Sequence, residues 1–402
     1  MKISFYLLGV IFLFACNNNI QQIKESYVDT SNYSWSEYKK NKHSSQILSN
    51  YESSFNTTIS RTNSSIPVNY PAYFGGFYID DNNDPVIYIT DLKYKDYIQQ
   101  QIGNDHVIIK QCKYSYKTLL DIMEQVNKTP ANDLRKTSAH SIKLDVINNR
   151  VEVEMNDCSP EKIEQFKIGI LDSQALHFTI ASNNFKFDNK KEEIKLEGKL
   201  EEHILYPGSP ITCKEDGKTY TGSMGYRAKC AHMDGFVTSG HFTYDEDTIY
   251  LGDVPVAICM IAAEYESVDA AFCKLLPGYT VSDHTINACR IIPQNQEIKV
   301  GEFVEMQARS LVRDLAKILH TDITTVVDNP EHHHSTWIRN CILVDRGCNP
   351  GDSGGLVYSS NTWGEDPHFT VGIIAGSNTK NKEQTLLIRA TNINNMFNLI
   401  PY

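Results

Sequence analysis

The most informative segment of the chain is a glycine-rich run around a serine, Gly347-Cys348-Asn349-Pro350-Gly351-Asp352-Ser353-Gly354-Gly355. A serine hydroxyl that attacks a carbonyl carbon needs a tight turn, small neighbours and two backbone N–H groups directed at the developing oxyanion. Gly351 and Ser353 would supply those N–H groups, while Gly354 and Gly355 leave space for a substrate. The segment therefore predicts a nucleophilic serine at position 353.

Two polar residues upstream could activate this serine. A histidine, His241, comes directly after the apolar strand and small-residue turn Gly235-Phe236-Val237-Thr238-Ser239-Gly240, a position that can hold a general base firmly. Asp269 follows His241 by 28 residues and is the single acid of an apolar stretch. A buried carboxylate is costly without a partner, and orienting the histidine ring would give it one. The alternative role for Asp269 is that of a turn acid capping a backbone N–H.

The order His241, Asp269, Ser353 resembles that of the chymotrypsin-like serine peptidases, and most of all their bacterial branch of streptogrisins and α-lytic protease. Asp269 and Ser353 are only 84 residues apart, and no Ile-Val-Gly-Gly-like activation site precedes the histidine. Segments 74–80 and 114–119, followed by a hairpin at Asn148-Asn149, are similar to the pro-region of that branch. The resemblance spans residues 67–402.

This resemblance implies a serine endopeptidase that hydrolyses peptide bonds through an acyl-enzyme intermediate on Ser353. His241 would take the serine proton, Asp269 would fix the imidazole tautomer, and the N–H groups of Gly351 and Ser353 would hold the oxyanion. The implied fold is mainly β, with two perpendicular six-stranded β-barrels in a protease domain at residues 201–402 and the three residues in the cleft between them. An α+β pro-domain would precede the barrels.

The resemblance also implies where a substrate binds. In the family, a short segment about twenty residues after the nucleophile pairs with the substrate backbone as an added strand. Ala375, Gly376 and Ser377 stand at those positions. The implied partners are peptide or protein substrates and the chain's own pro-domain, and the mechanism uses no cofactor or metal.

The cysteines depart from the family pattern. Phe242 follows the histidine where a half-cystine is usual, Cys348 precedes Ser353 by five residues rather than six, and no cysteine follows Ser353. Ten cysteines less Cys16 leave an odd number, so at least one thiol is unpaired within the chain. We expect disulfide bonds in an exported chain, but the family's pairing does not carry over.

The first sixteen residues indicate export. Met1-Lys2 is followed by an apolar run to Ala15, which is shorter than the roughly 20 residues of a membrane-spanning helix and suits a signal peptide. The run ends Leu13-Phe14-Ala15-Cys16, which resembles the lipobox of bacterial lipoproteins and predicts lipidation of Cys16. We expect residues 1–15 to be a signal peptide and residues 16–66 a flexible, lipid-anchored tether. The protein would then be a cell-envelope lipoprotein or be secreted.

Residues 67–200 have the pattern of a small α+β pro-domain. Gly76–Ile79 and Val86–Ile89 flank a turn and predict a hairpin. Ser115 caps a helix that must stop before Pro130, residues 144–155 predict a second hairpin, and Ser159-Pro160 opens a second helix. We expect this domain to assist folding, to inhibit the uncleaved chain, and to be cut off between about residues 189 and 210.

Charge and residue pattern argue against two kinds of partner, nucleic acid and a metal ion. The net charge of −11, without a long basic run, argues against nucleic acid as a partner. The run His332-His333-His334 predicts a solvated loop, because consecutive histidines cannot all face one ion.

A catalytically silent homologue that binds peptides or proteins would keep the fold but lose a triad member. A lipase or esterase would place its serine in a Gly-x-Ser-x-Gly elbow with the histidine last, unlike this chain.

Overall fold

The computed structural model describes residues 33–55, 69–103, 105–187, 190–191, 203–215, 217–294, 297–330, 334–360 and 367–402. The predicted signal peptide and Cys16 lie outside these residues. In the part of the chain that is described, no helix combines the length and the apolar character needed to cross a membrane.

The described part begins with a helix. A capping box fixes its start, since the Ser34 hydroxyl accepts from the Glu37 N–H and the Glu37 carboxylate accepts from the Ser34 N–H. The helix packs on a three-stranded sheet in which β1 and β2 are antiparallel and β2 and β3 parallel. The bounds of this unit are α1 Trp35–Ser53, β1 Phe74–Ile79, β2 Pro85–Ile89, α2 Lys95–Ile102 and β3 Ile108–Gln111.

The prediction of a flexible tether up to residue 66 is wrong for α1. The buried face of this helix contains polar residues, Asn41, Ser44 and Ser45, among the apolar ones. These polar side chains make hydrogen bonds that only the tertiary structure provides, such as that of the Asn41 amide to the Gly301 carbonyl at 2.7 Å. A polar buried face breaks the apolar periodicity by which an amphipathic helix is found in a sequence.

The second unit confirms the elements expected from the sequence. Ser115 caps α3, Pro160 stands at the first position of α5, and β4 and β5 form the second hairpin. The apolar side of α3 packs against that hairpin around Leu119, Met123 and Phe166. The bounds are α3 Tyr116–Lys128, α4 Ala131–Lys136, β4 Ala139–Asp145, β5 Arg150–Met155, α5 Pro160–Gly169 and β6 Leu176–Ile180.

Two very short strands connect this unit to the C-terminal half. They are β7 Phe185–Phe187 and β8 Lys190–Lys191, and both pair with strands of the C-terminal half rather than with each other. Sequence patterns did not predict either of them.

The first barrel closes through one bent strand. β10 pairs with β11 and β14, β14 with β15, β15 with β16, β16 with β13, and β13 with β12. Only three residues separate β11 from β12, so these two strands form one bent strand. One end of it pairs with β10 and the other with β13, which closes the barrel. The bounds are β9 Ile204–Leu205, β10 Pro210–Glu215, β11 Lys218–Ser223, β12 Arg227–Cys230, β13 Met233–Thr238, β14 Thr248–Leu251, β15 Val254–Tyr265, β16 Val268–Leu275 and β17 Thr280–Val281.

The second barrel closes by direct pairing, in the order β19-β22-β23-β24-β21-β20 and back to β19. β20 also pairs with β4, so the sheet of the second N-terminal unit continues the barrel wall. The C-terminal helix and strand return to the first barrel, where β25 pairs with β12. The bounds are β18 Ile291–Ile292, β19 Phe303–Gln307, β20 Val312–Asn329, β21 His334–Val344, β22 Leu356–Ser359, β23 His368–Asn378, β24 Thr385–Arg389, α6 Ala390–Phe397 and β25 Leu399–Pro401.

The apolar cores follow this division. One buried cluster fills the first barrel around Phe236, and another fills the second barrel around Val357 and Leu387. A third lies between the barrels and includes Phe272 and Ile373. The fold is therefore a double β-barrel preceded by two α+β units, in agreement with the predicted fold class.

Candidate active site

His241 and Asp269 come together at two paired strands of the first barrel. His241 follows β13 and Asp269 lies near the start of β16, and these two strands are paired. His241 Nδ1 lies 2.7 Å from Asp269 Oδ2, and both side chains are fully buried. Asp269 Oδ1 accepts from the N–H groups of Gly240 and His241 at 3.0 and 2.9 Å. The carboxylate therefore orients both the imidazole ring and the turn that carries it.

The Ser353 turn belongs to the second barrel and is held by its neighbour Asp352. This fully buried carboxylate accepts from the Ser310 N–H at 2.7 Å, the Ser310 hydroxyl at 2.6 Å and the Asn349 N–H at 2.8 Å. Gly351 has φ +92°, a conformation that favours glycine. The turn is thus fixed in a shape that directs Ser353 towards β23, where its Oγ donates to the Ala375 carbonyl at 3.5 Å.

Gly354 brings the serine turn against the histidine turn. A Cβ at this position would lie 2.2 Å from Thr238 Oγ1 and 2.8 Å from the Ser239 nitrogen, both just before His241. The backbone also has φ +84°. Only glycine allows this approach of the two barrels. On the other side of the turn, the Ser223 N–H donates to the Ser353 carbonyl at 2.8 Å.

A strand from the N-terminal half lies in the cleft over these residues. β7 pairs antiparallel with the end of β23, with Phe187 opposite Gly376 and Lys186 opposite Ser377. The Phe187 ring stacks on the His241 ring, with centroids 4.5 Å apart and planes 17° from parallel. Ser353 and His241 are only 2 and 4% exposed as a result of this packing and of the barrels around them. Two of the three residues predicted to bind a substrate strand, Gly376 and Ser377, thus pair with a strand of the chain itself, whereas Ala375 has no partner in β7.

A second acid, Glu264, lies beside Asp269. It is the register partner of Asp269 across β15 and β16. Its carboxylate accepts from the Asn329 amide at 2.8 Å and lies 3.1 Å from His334 Nε2. Burial and the neighbouring Asp269 raise the pKa of Glu264 above its ordinary value. His334 opens β21, whereas His332 and His333 lie outside the described residues.

The sequence did not single out Glu264, Asp352 or Ser310. Asp352 gave a usable signal, since an acid inside a run of glycines next to a buried serine needs partners. Ser310 gave none, because its contact with Asp352 spans 42 residues of sequence. Glu264 likewise stands in an ordinary strand, and only the pairing of β15 with β16 brings it to the site.

The cysteines differ from the expectation that they form disulfide bonds. The expectation of disulfide bonds is wrong for seven of them, which are free thiols: Cys112, Cys158, Cys230, Cys259, Cys273, Cys289 and Cys341. Phe242 occupies the position of the family half-cystine and packs on Gly222, whose Cβ would lie 3.0 Å from the ring. Apolar packing thus takes the place of a covalent link beside His241.

Comparisons with known proteins give matches to family models and to solved structures. Residues 26–112 match a family model described as a Pro-like N-terminal domain, and residues 117–180 match one described as a Pro-like C-terminal domain. The first match begins well inside the predicted tether. A search of the curated proteins found no match.

Solved structures similar to the chain include three bacterial enzymes. The Nocardiopsis protease NAPase is 18% identical, with a TM-score of 0.40 over 49% of this chain and 98% of that one. Thermobifida fusca protease A is 15% identical, with a TM-score of 0.40 over 49% and 98%. Cellulomonas bogoriensis chymotrypsin is 18% identical, with a TM-score of 0.39 over 50% and 98%. The chain thus matches the models of a Pro-like N-terminal and a Pro-like C-terminal domain in the region that precedes its double β-barrel.

Proposed function

We propose that this chain is the precursor of a serine endopeptidase, with Ser353 as nucleophile, His241 as general base and Asp269 as the residue that orients the histidine. The observation that carries the proposal is the buried His241–Asp269 pair at 2.7 Å, against which Gly354 docks the Ser353 turn. The His241–Asp269 pair belongs to the first barrel and the Ser353 turn to the second, and an orienting role for the acid accounts for a buried carboxylate beside a buried histidine.

The reaction follows from these positions. Ser353 Oγ attacks the peptide carbonyl carbon while its proton passes to His241 Nε2, and the N–H groups of Gly351 and Ser353 hold the oxyanion. The C–N bond then breaks, and the amine leaves with the proton from His241. Water attacks the acyl-enzyme with the histidine again as base, which releases the carboxylic acid and restores the serine.

The precursor is proposed to be inhibited by its own N-terminal half. β7 covers His241 and occupies the edge of β23 at which a substrate strand would add. A bound peptide substrate and β7 would compete for the same backbone groups. Removal of β7 is therefore the activating step.

The experiment that tests the function uses the purified full-length protein after processing. A phosphonate reagent should label Ser353, and a peptide library read by mass spectrometry should show cleavage. Ser353→Ala and His241→Ala should each abolish nearly all hydrolysis, with little further loss in the double variant, because the residues act as a unit. The control Ser335→Ala, on an exposed hairpin, should keep full activity.

Two results would contradict the proposal. Strong inhibition by a metal chelator without labelling of Ser353 would point to a different hydrolase mechanism. A wild-type protein that binds peptides but leaves them intact would favour the catalytically silent homologue.

Export to the cell envelope is proposed together with the activity. If Cys16 is lipidated, the protein should fractionate with membranes and incorporate labelled fatty acid, and Cys16→Ser should release it or block its processing. Wild-type protein free in the medium, with a mature N-terminus elsewhere, would overturn this.

A further inference from the structure

The residues just before Ser353 form a β-turn. The Asp352 N–H donates to the Asn349 carbonyl at 2.9 Å, which closes a four-residue turn with Pro350 and Gly351 at its two central positions. Proline at the first of these positions and glycine with φ +92° at the second are typical of a type II turn. Among the described residues, none accepts a hydrogen bond from the Gly351 N–H, as its predicted role as an oxyanion donor requires.

The direction of that N–H depends on the type of turn. Types I and II differ by a rotation of the central peptide group by roughly 180°. Because the group is planar and trans, its C=O and N–H point in opposite directions and reverse together. In this turn the central group joins Pro350 to Gly351. Any contact that fixes the Pro350 carbonyl therefore also fixes the Gly351 N–H.

Arg309, in the turn between β19 and β20, makes such a contact. Its Nη1 donates to the Pro350 carbonyl at 3.4 Å, and a Cβ at Gly351 would lie 3.2 Å from Arg309 Cδ. The side chain therefore covers the central peptide group. Nearby Arg313 and Arg346 are each paired with a carboxylate, whereas no carboxylate of the described residues lies within ion-pair distance of Arg309. Its charged donor is thus directed at the turn, and charged donors make stronger hydrogen bonds than neutral ones.

The backbone of Arg309 is itself held against the turn. The hydroxyl of Ser223, a fully buried residue of β11, accepts from the Arg309 N–H at 2.9 Å and donates to the Gly351 carbonyl at 2.9 Å. The next residue, Ser310, binds the Asp352 carboxylate through its N–H and its hydroxyl. The arginine side chain therefore starts from a fixed position beside the turn, and it loses little freedom in reaching the turn carbonyl.

We propose that Arg309 is a positioning residue that keeps this turn in its type II form, with the Gly351 N–H directed at the oxyanion. The inference rests on the proposed function and adds to it a residue that acts through the turn rather than on the reacting atoms. Negative charge develops on the substrate oxygen as Ser353 Oγ bonds to the carbonyl carbon, and a donor already in place stabilises it. Without Arg309 the turn also adopts the type I form, in which this N–H points away.

The first test measures kcat and KM of the processed enzyme with a peptide substrate. Arg309→Ala should lower kcat at least about tenfold with KM nearly unchanged, since complete loss of one oxyanion donor lowers kcat by about 10²–10³. Arg309→Lys keeps a charged donor and should lose less. Guanidinium ion at millimolar concentration should restore part of the activity of Arg309→Ala. The control is Arg290→Ala, a half-exposed arginine just before β18, which should keep the wild-type kcat and not respond to guanidinium.

The second test uses a peptide aldehyde, which forms a tetrahedral adduct with Ser353 and places an oxyanion in the same position. Its affinity for Arg309→Ala should fall by the same factor as kcat/KM, because both depend on the oriented N–H. Gly351→Ala replaces the residue with φ +92° and should disrupt the type II turn by itself. Adding Arg309→Ala to that variant should cause no further loss, since both changes act on one turn. Thermal unfolding of each variant separates loss of the turn from loss of the fold.

Three results would overturn the inference while leaving the serine mechanism intact. A raised KM with unchanged kcat would show that Arg309 binds the substrate directly. Wild-type kcat and aldehyde affinity in Arg309→Ala would show that the turn keeps its form without the arginine. Additive losses in the double variant would show that the two residues act separately. Absence of any Ser353-dependent hydrolysis by the wild-type enzyme would overturn the proposed function instead.

Discussion

At the scale of single residues, the buried carboxylates of Asp269 and Asp352 hold the two turns of the candidate site through hydrogen bonds. Asp269 is satisfied by two backbone N–H groups and the His241 ring, and Asp352 by Ser310 and Asn349. Each buried acid thereby fixes one turn, the first that of the histidine and the second that of the serine. Charge-assisted hydrogen bonds of this kind are stronger than neutral ones and suit parts that must not move.

Glu264 should set the acid limb of the pH–activity profile. When its carboxylate ionises, it adds negative charge near His241 and favours the protonated imidazole, which is inactive as a base. Glu264→Gln removes that charge, so the histidine pKa falls and the acid limb of kcat/KM moves to lower pH. The measurement is kcat/KM across pH for both proteins. Glu266→Gln, on the exposed turn between β15 and β16, is the control and should leave the profile in place.

Gly354 should be essential for joining the two halves of the site. Gly354→Ala adds a Cβ that would lie 2.2 Å from Thr238 Oγ1 at φ +84°, so the serine turn has to retreat from His241. We expect loss of nearly all activity. Gly217→Ala has the same kind of φ, +74°, but no atom within 4 Å of the added Cβ. This control should cost about 1 kcal/mol of stability from the left-handed backbone alone and keep its activity. Equal loss in both would mean that strain, not docking, explains Gly354.

At the scale of elements, the contact between β4 and β20 joins the N-terminal half to the second barrel. Ile323 pairs with Lys143 and Thr325 with Ser141, so one continuous sheet crosses the boundary. The ring of His320 on β20 reaches the Leu144 carbonyl at 3.3 Å. Burial lowers its pKa, as does neighbouring Lys143, while Asp145 and Glu152 act in the opposite direction.

This histidine should make the precursor less stable in acid. Its folded-state pKa lies below the ordinary value of 6.5, so its contribution is fully present above pH 6.5 and is lost as the pH falls through the folded pKa. The Tm of the Ser353→Ala precursor should therefore fall with pH below about 6.5, and less steeply in the variant that also carries His320→Gln. His43→Gln, an exposed histidine on α1, serves as the control. Identical slopes for all three proteins would contradict the assignment.

The sequence predicted those elements whose signals are local. Capping by Ser115, the proline at position 160 and the alternation around Asn148-Asn149 each depend on neighbours in the chain, and the structure has the corresponding elements. β7 and β8 have three and two residues and are strands only because distant strands pair with them. The His241–Asp269 contact was expected from residue types. The stacking of Phe187 on that histidine was not, because it depends on the path of the whole chain.

At the scale of the whole molecule, the N-terminal half holds the second barrel at several places. α1 packs Tyr38 against Phe303, and its Asn41 bonds to Asn83, the Gly301 carbonyl and the Phe303 N–H. β1 adds a backbone bond from the Ile79 N–H to the Val300 carbonyl at 2.9 Å. These contacts join the three-stranded unit to the barrel independently of β4. α1, which lies before the predicted domain boundary at residue 67, is therefore one of the elements that hold the second barrel.

This arrangement predicts how the barrels fold. Both close through pairings between residues far apart in sequence, and such non-local contacts are slow to form because loop-closure entropy has to be overcome first. By fixing β20 through β4 and the start of β19 through α1, the N-terminal half presents two preformed edges to the second barrel. A chain starting near Tyr206 should therefore refold to an inactive state.

Supplying the missing half as a separate chain should restore activity, and its length should matter. Residues 33–188 should rescue the barrels, whereas residues 67–188, which lack α1, should act more slowly. Asn41→Ala in the longer chain should fall between the two, since it removes three hydrogen bonds but keeps the helix. The measurement is the rate at which peptidase activity appears after dilution from denaturant. If the barrels alone regain full activity at the same rate, the N-terminal half is a cover for the active site and has no part in folding it.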